Sequence, residues 1–293
     1  MIARFQQSVV FFLFAILGAW IWYVVPVYSR IYIGFLALAG VYITFLAIEF
    51  IVIHHLNRLD SQQRASWGEL FAAWWRETIT APRIFLWRQP FRTFAEPDNL
   101  VASTERGVVF IHGFMCNRAF WAPWMAQLRA RNRAFASVSL EPIFGSIDNY
   151  PALIEAAVAK VTQATNTPPT LICHSMGGLA ARAWLQSKPD NEGRIHRIIT
   201  IGTPHFGTML SKNQPFANTQ QMQRFSAWLG QLSRQEQPAS YAKFTCWYSS
   251  CDNIVVPTST AMLPGADNRL VTAQGHVSMA FSQQLMQESL AMV

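Results

Sequence analysis

The stretch at residues 171–178, which reads L-I-C-H-S-M-G-G, constrains the fold of this chain more than any other. An apolar run ends at His174 and Ser175, two glycines follow, and helix-forming residues continue through 179–183. This order predicts a strand, a sharp turn and a helix, with Ser175 at the turn and facing the positive end of the helix. Cys173 stands where the usual G-x-S-x-G pattern of a nucleophilic serine has its first glycine. A serine without chemistry is the alternative, and the presence of a base and an acid decides between the two.

The rest of the C-terminal region alternates strands and helices. Strands are predicted at 107–111, 134–140, 170–173, 195–201, 244–249 and 270–272, and helices at 119–131, 148–163 and 279–292, besides the helix after Ser175. This alternation predicts an α/β fold in which helices cover a mostly parallel sheet. Ligands bind at the C-terminal ends of the strands in such sheets, and the candidate residues below fall there.

Residues 209–241 interrupt this alternation. The segment lacks a strand pattern, is rich in Gln and Ser, and carries an apolar stripe of Met222, Phe225, Trp228 and Leu229. A long excursion over the strand ends is typical of a lid. An ordinary packing helix is the equal alternative.

The chain has seven histidines as candidates for the base, and the candidates for the acid lie in the loops after the later predicted strands. His276 lies in the loop after the last predicted strand, where the base stands if the chain order is nucleophile, acid, base. His205, in a loop after an earlier strand, competes with it. Asp252 follows the preceding strand and is the predicted acid, with Asp267 as the fallback.

These positions predict a division of roles. Ser175 attacks the substrate, His276 takes and returns the serine proton, and Asp252 fixes the tautomer of the imidazole and stabilises the imidazolium. An oxyanion also needs donors that are already aimed at it. The backbone N–H groups of Met176 and of Phe114, in the loop after the first strand, are the expected donors.

Several motifs together resemble those of the α/β-hydrolase superfamily, in particular bacterial lipases and esterases. They are H-G-F at 112–114, C-H-S-M-G-G at 173–178, G-T-P-H-F-G-T at 202–208, and the later aspartate followed by Gly-His. The resemblance covers the chain from about residue 107 to the end. It implies an α/β-hydrolase fold and carboxylester hydrolysis through an acyl-enzyme, with no metal and no cofactor, and it leaves the substrate open.

Two apolar runs occupy the N-terminus, at residues 9–25 and 31–53. Each is near the roughly 20 residues that cross a bilayer core about 30 Å thick. Trp20, Trp22, Tyr23 and Tyr28 near one end resemble an interfacial aromatic belt, which favours a two-helix membrane anchor. A buried helical hairpin in a soluble protein is the alternative.

The charges around this hairpin predict its orientation. Arg30 is the single charge in the turn, whereas Arg4, Arg58 and Arg64 flank the other ends. The positive-inside rule then places both termini and the C-terminal domain in the cytoplasm, with the hairpin in a bacterial inner membrane. Glu49, the one acid in the second run, is expected to turn towards the neighbouring His54 and His55.

The chain is therefore divided into three parts: a transmembrane hairpin at 1–57, a juxtamembrane segment at 58–100 and a hydrolase domain at 101–293. The juxtamembrane segment contains a predicted helix at 66–80 with Trp67, Leu70, Phe71 and Trp74 on one face. Ser66 and Glu69 form a capping-box pattern at its start. This helix lies either on the bilayer surface or against the domain.

The net charge and the cysteine content limit the binding partners and the cellular compartment that the sequence predicts. The net charge is +7, but no nucleic-acid-binding module is present, so the basic residues beside the apolar runs favour a membrane over nucleic acid. None of the four cysteines has the spacing of a zinc site or an evident disulfide partner. Free thiols suit a reducing compartment.

The sequence as a whole predicts a membrane-anchored serine hydrolase that acts on lipid esters. A thioesterase or amidase with the same three residues is the alternative within enzymes. A non-catalytic scaffold on a hydrolase fold is the alternative outside them, and the complete set Ser175, Asp252 and His276 argues against it. The sequence gives no prediction of oligomeric state.

The orientation can be tested with a cysteine at the predicted turn. Because the four native cysteines are distributed through the domain, they are first replaced by serine, and Tyr28→Cys is then added. We expect a membrane-impermeant maleimide, added to intact cells, to label the Tyr28→Cys variant from the periplasmic side. Labelling from the cytoplasmic side alone would contradict the predicted topology.

Overall fold

A computed structural model describes residues 1–24, 31–60, 62 and 64–293. A six-stranded sheet forms its centre, with the strand order β2-β1-β3-β4-β5-β6 and every neighbouring pair parallel. The strands are β1 Val108–Ile111, β2 Phe135–Ser137, β3 Thr170–His174, β4 Arg197–Ile201, β5 Phe244–Tyr248 and β6 Asp267–Leu270. The predicted parallel α/β architecture is confirmed.

Alternate side chains of the central strands enter two separate cores. In β3, Leu171 and Cys173 pack in one core, and Ile172 packs in the other. All five residues of β3 are buried, as expected for a parallel strand covered on both faces. This burial explains why the central strands are continuous apolar runs in the sequence.

The described residues form eleven α-helices, several of which cover the two faces of the sheet. They are α1 Ile2–Val24, α2 Ile31–Leu56, α3 Trp67–Pro82, α4 Gln89–Phe91, α5 Ala122–Ala130, α6 Pro151–Thr165, α7 Met176–Ser187, α8 Ala217–Gln221, α9 Ala227–Gln235, α10 His276–Met279 and α11 Gln283–Ala291. Helices α6 and α7 contribute to one core, and α5 and α11 contribute to the other.

The last strand differs from its prediction. It was expected at 270–272, but β6 runs from Asp267 to Leu270. This strand lies at the sheet edge, pairs with β5 alone, and its side chains are exposed or partly exposed. Because an edge strand with no buried face needs no apolar side chains, its sequence D-N-R-L carries no strand pattern.

Residues 209–241 fold into two short helices and connecting turns. Met222 and Leu229 are buried in the core that α7 also enters, and Trp228 packs against that core. Phe225, between the two helices, is 85% exposed. The packing role is therefore seen for part of the stripe, whereas movement of this segment as a lid stays a prediction.

The first two helices are long and apolar enough to cross a membrane by length and composition. The qualifying segments are Ile2–Trp20 and Leu36–Leu56, with mean hydropathies of 1.6 and 2.4. Much of their apolar surface faces outward, including Phe12 and Phe45, each 65% exposed. The predicted turn with Tyr28 and Arg30 lies outside the described residues.

Both apolar helices are attached to the domain at one end. Ile2, Gln6 and Val10 of α1 are buried, as are Phe50 and Ile53 of α2. The remaining exposed lengths are those that project away from the domain.

Helix α3 packs between α2 and the domain. Its Leu70 and Ala73 share a core with Phe50 of α2 and with Cys251 of the domain. The predicted capping box between Ser66 and Glu69 is present. Trp67, on another face of the helix, is 60% exposed, so α3 combines a buried face against the domain with an outward aromatic face.

Candidate active site

Ser175 lies at the junction of β3 and α7, as the sequence predicts. Its φ is 54° and its ψ is −128°, a conformation that residues other than glycine rarely adopt. The Ser175 N–H donates to the carbonyl of Ile201 at 2.9 Å, and the Thr203 hydroxyl donates to the Ser175 carbonyl at 2.9 Å. Strand β4 and the residues after it therefore hold the turn in place.

Cys173, the departure from the usual motif, is fully buried in β3. Its side chain packs with Leu171 and Leu179 in the core. Burial raises the pKa of this thiol, so it behaves as a small apolar side chain rather than a nucleophile. The core therefore accommodates a thiol at the position of the first motif glycine.

Asp252 and His276 form a buried hydrogen-bonded pair. The His276 Nδ1–H lies 3.0 Å from each Asp252 carboxylate oxygen. Asp252 Oδ1 also accepts hydrogen bonds from the backbone N–H groups of Ile254 and Val255, at 2.8 and 2.9 Å. This arrangement fixes the carboxylate and leaves His276 Nε2 as the free acceptor nitrogen of the neutral ring.

Gly202, at the end of β4, makes room for this pair. Its φ is +56°, and a Cβ added there would lie 3.0 Å from Asp252 Oδ2 and 3.1 Å from His276 Nδ1. A side chain at this position would therefore strain the backbone and crowd the acid and the base. Because the preceding Ile201 carbonyl accepts a hydrogen bond from the Ser175 N–H, Ser175 and the Asp252–His276 pair flank the same strand end.

His174 connects the turn to the base. Its Nε2–H donates to the His276 carbonyl at 3.0 Å, and the two ring centroids lie 4.7 Å apart. Ser175 is the next residue along the chain. Ser175 and His276 both lie in the described part of the chain, and no hydrogen bond joins Ser175 Oγ to His276 there.

The pKa of His276 reflects opposing influences. Burial on its own lowers the pKa, but the charge of Asp252 and its hydrogen bond raise it, with smaller upward contributions from Glu77 and Glu49. The result is a pKa above the ordinary value of 6.5. An imidazole with a raised pKa is a stronger proton acceptor when it is neutral.

The competing residues occupy other environments. His205 is fully buried, its Nε2 lies 3.1 Å from the Thr200 hydroxyl, and burial lowers its pKa well below the usual value. Asp267 lies on the edge strand and pairs with Arg269 at 2.8 Å. The structure therefore brings Asp252, rather than Asp267, to His276.

The two expected oxyanion donors belong to segments next to Ser175. Met176 begins α7, and Phe114 belongs to the turn after β1. A Cβ added to Gly113 would lie 2.8 Å from the Ser175 Cβ, so this turn lies directly against the serine. Within the described part of the chain, neither the Phe114 N–H nor the Met176 N–H donates a hydrogen bond, which leaves both able to bind a substrate oxygen.

Polar side chains of the N-terminal segment hold the turn after β1. Gln6 of α1 donates through Nε2 to the Met115 carbonyl at 2.9 Å and accepts from Asn117 Nδ2 at 3.0 Å. Gln89 of α4 accepts the Asn117 N–H at 2.6 Å. Neither glutamine is predicted from the sequence, because amide side chains in or beside apolar helices carry no motif.

Glu49 and Glu77 were also missed as parts of the site. Glu49 was expected to turn towards His54 and His55, and this is wrong: it accepts a hydrogen bond from Asn253 Nδ2 at 3.2 Å. Glu77 accepts hydrogen bonds from backbone N–H groups beside His276. The one available signal was the presence of a lone acid in an otherwise apolar run.

Among the described residues, no group of three or more His, Cys, Asp and Glu side chains is arranged to hold a metal ion. The four cysteines are free and buried. The absence of a cofactor stays a prediction.

Comparisons with known proteins agree with this fold. The model of the alpha/beta hydrolase family matches residues 108–281. The mature lipase BlEst2 of Bacillus licheniformis is similar in structure, with a TM-score of 0.54 and 17% identity over 67% of this chain and 94% of the lipase. Lipase B of Aspergillus fumigatus is similar with a TM-score of 0.52 and 14% identity over 59% of this chain and 49% of the lipase. No curated protein matches the sequence significantly.

The raised pKa of His276 predicts the pH dependence of any reaction that uses it as a base. The ring accepts a proton only when it is neutral, so kcat/KM falls as the pH drops through its pKa. This falling part of the pH profile, the acidic limb, lies above pH 6.5. Asp252→Asn removes the negative charge that raises the pKa. We expect the limb to move to lower pH and kcat to fall by about 10⁴-fold, the size known for this change in a serine protease.

The measurement is the pH profile of p-nitrophenyl ester hydrolysis. Asp267→Asn is the matched control, because this aspartate lies on the exposed edge strand, and it should leave both kcat and the limb unchanged. A large fall in kcat for Asp267→Asn, with no fall for Asp252→Asn, would assign the role of the acid to Asp267 instead.

Proposed function

Because the chain belongs to the alpha/beta hydrolase family, we propose that it is a serine hydrolase that cleaves carboxylic esters through an acyl-enzyme intermediate. The observation that carries the proposal is the buried Asp252–His276 pair at the strand end that also binds the Ser175 backbone. The similar folds of two proteins described as lipases support an ester substrate.

In the proposed mechanism, His276 Nε2 accepts the proton of Ser175 Oγ as this oxygen attacks the ester carbonyl. The carbonyl oxygen becomes negatively charged and binds the N–H groups of Phe114 and Met176. The carbon–oxygen bond to the alcohol then breaks, and His276 donates its proton to the leaving alcohol. Asp252 stabilises the imidazolium while it exists.

Deacylation repeats the same steps with water. His276 removes a proton from a water molecule, the resulting oxygen attacks the acyl-enzyme carbonyl, and the same two N–H groups bind the oxyanion. The proton then returns to Ser175 Oγ, and the carboxylic acid leaves. No step requires a group beyond the chain, the ester and water.

We further propose that the two N-terminal helices anchor the enzyme in a membrane and that its substrate is a lipid ester. The helices present apolar side chains such as Phe12, Phe14 and Phe45 outward, which a bilayer would cover. Glu49 of α2 bonds to Asn253, the neighbour of Asp252. The catalytic loops therefore lie on the side of the domain to which the membrane helices attach.

The aromatic face of α3 supports the same location. Trp67, Phe71 and Trp75 are 60%, 64% and 52% exposed. An apolar groove of about 320 Å³ runs between this helix and α2. Aromatic side chains beside a membrane helix are typical of the bilayer interface. Free cysteines and the positive flanks of the hairpin support a cytoplasmic domain on a bacterial inner membrane.

The nucleophile is tested by Ser175→Ala. We expect hydrolysis of p-nitrophenyl butyrate to fall by about 10⁶-fold, because the histidine and the oxyanion donors cannot replace the missing nucleophile. Labelling by a fluorophosphonate probe should disappear as well. Ser187→Ala is the control, because Ser187 is an exposed serine at the end of the same helix α7. This variant should retain both ester hydrolysis and labelling by the probe. Full activity in Ser175→Ala would refute the mechanism.

The substrate class is tested with full-length protein in lipid vesicles. Acylglycerol and phospholipid esters are presented in the bilayer, and an acyl thioester and an acyl amide of equal chain length are presented beside them. If the site acts on membrane lipids, we expect the oxygen esters in the bilayer to be hydrolysed with the highest kcat/KM. A higher kcat/KM for the thioester or the amide would establish the thioesterase or amidase alternative, and no turnover or fluorophosphonate labelling would establish a scaffold.

A further inference from the structure

We propose that Glu77 is a positioning residue for His276 and that Glu49 assists it through Asn253. Both acids come from the N-terminal helices, outside the residues that the family model matches. The inference rests on the proposed function, because it concerns the base of that reaction. It assigns to the juxtamembrane and membrane helices a part in catalysis besides attachment.

Glu77 binds the first residues of α10, the short helix that begins at His276. Its Oε1 accepts the Val277 N–H at 2.9 Å, and its Oε2 accepts the Ser278 N–H at 2.8 Å. These are the two residues that follow His276. Glu77 is 2% exposed, so both hydrogen bonds are shielded from water and each donor would be left unpaired without it.

The loop is shaped to admit this carboxylate. A Cβ added to Gly275 would lie 2.6 Å from Glu77 Oε2 and 2.9 Å from Glu77 Cδ. Glycine is therefore required beside His276 because the side chain of α3 occupies the space that another residue would use. The Gly275–His276 pair, recognised in the sequence as a motif, has a physical reason in the contact with Glu77.

Glu49 reaches His276 through one intermediary. Its carboxyl group accepts a hydrogen bond from Asn253 Nδ2 at 3.2 Å. Asn253 Oδ1 in turn accepts a hydrogen bond from the backbone N–H of His276 at 2.9 Å. Asn253 is 3% exposed. Both polar atoms of the amide are therefore hydrogen-bonded, and α2 holds the His276 backbone through Asn253 while Glu77 of α3 holds the two residues that follow.

The two acids also act through their charge. The groups that face His276 are Asp252 of the late loop, Glu77 of α3, Glu49 of α2 and His174 of β3. The three carboxyl groups favour the protonated ring, whereas a charged His174 would disfavour it. Since the ring becomes an imidazolium during the reaction, carboxylates around it stabilise the charge that develops.

The test uses Glu77→Gln in the full-length protein, reconstituted in lipid vesicles. The glutamine amide places a donor against a backbone donor, so the loop loses one hydrogen bond. We expect kcat for p-nitrophenyl butyrate to fall roughly tenfold, as the loss of a bond to a buried donor implies, while KM stays within about twofold. Because a negative charge is removed, the acidic limb of kcat/KM should move to lower pH by roughly half a unit.

Glu69→Gln is the matched control on the same helix. Glu69 belongs to the capping box of α3, and glutamine keeps an acceptor there, so kcat, KM and the limb should all remain as in the unmodified chain. Glu49→Gln is the second variant, because it keeps the acceptor for Asn253 and should fold even if Glu77→Gln does not. It should move the limb in the same direction with a smaller loss of kcat.

The outcomes separate this inference from the proposed function. An unmodified chain with no activity above that of Ser175→Ala would overturn both. Activity in the unmodified chain, with kcat and the limb unchanged in Glu77→Gln and in Glu49→Gln, would overturn the inference alone. A fall in kcat without any shift of the acidic limb of kcat/KM in either variant would show that the two acids have only a structural role. This result would also overturn the inference.

Discussion

The unusual backbone conformation of Ser175 is the constraint on which the rest of the site depends. A residue other than glycine in such a conformation costs about 1–3 kcal/mol and persists only where the surroundings enforce it. Here β4 and the residues after it enforce it through the hydrogen bonds of Ser175 with Ile201 and Thr203. Once the serine is fixed at this strand end, the turn after β1 lies against it, and the Asp252–His276 pair lies beside the same strand end at Gly202.

Much of this arrangement was predictable from the sequence. The central strands are buried on both faces and therefore appear as apolar runs, and the sharp turn at Ser175 has a recognisable order of residues. Asp252 and His276 follow strands in an order that limits the candidates. The edge strand β6 was misplaced because it is exposed and short, so burial leaves no pattern in it.

The parts that escaped prediction are contacts between distant segments. Glu77 is one charged residue on an amphipathic helix, and its local sequence does not distinguish a solvated face from a buried one. Its role follows from the packing of α3 against α10, which joins residues about 200 positions apart. Gln6 and Gln89 likewise acquire a role only when α1 and α4 meet the loop at Asn117.

Together these contacts support the site from two sides. Gln6 and Gln89 hold the turn that contains the proposed oxyanion donor Phe114, and Glu49 and Glu77 hold the residues around the proposed base His276. All four come from residues that precede the matched family region. The N-terminal helices and the hydrolase domain therefore form one packed unit rather than a tether and an independent enzyme.

The docking of α1 and α2 on the domain has a consequence for how such an enzyme is switched off. An enzyme on a flexible tether survives proteolytic shedding, because cleavage of the tether frees an intact catalyst. In this chain one face of the first turns of α1 and one face of the second half of α2 are buried. Loss of these helices after cleavage would remove the hydrogen bonds that they make to the turn after β1 and to Asn253 beside His276. For the membrane-anchored enzyme that we propose, proteolysis between the membrane and the domain would therefore abolish activity rather than release a soluble enzyme, and its activity would remain confined to one bilayer.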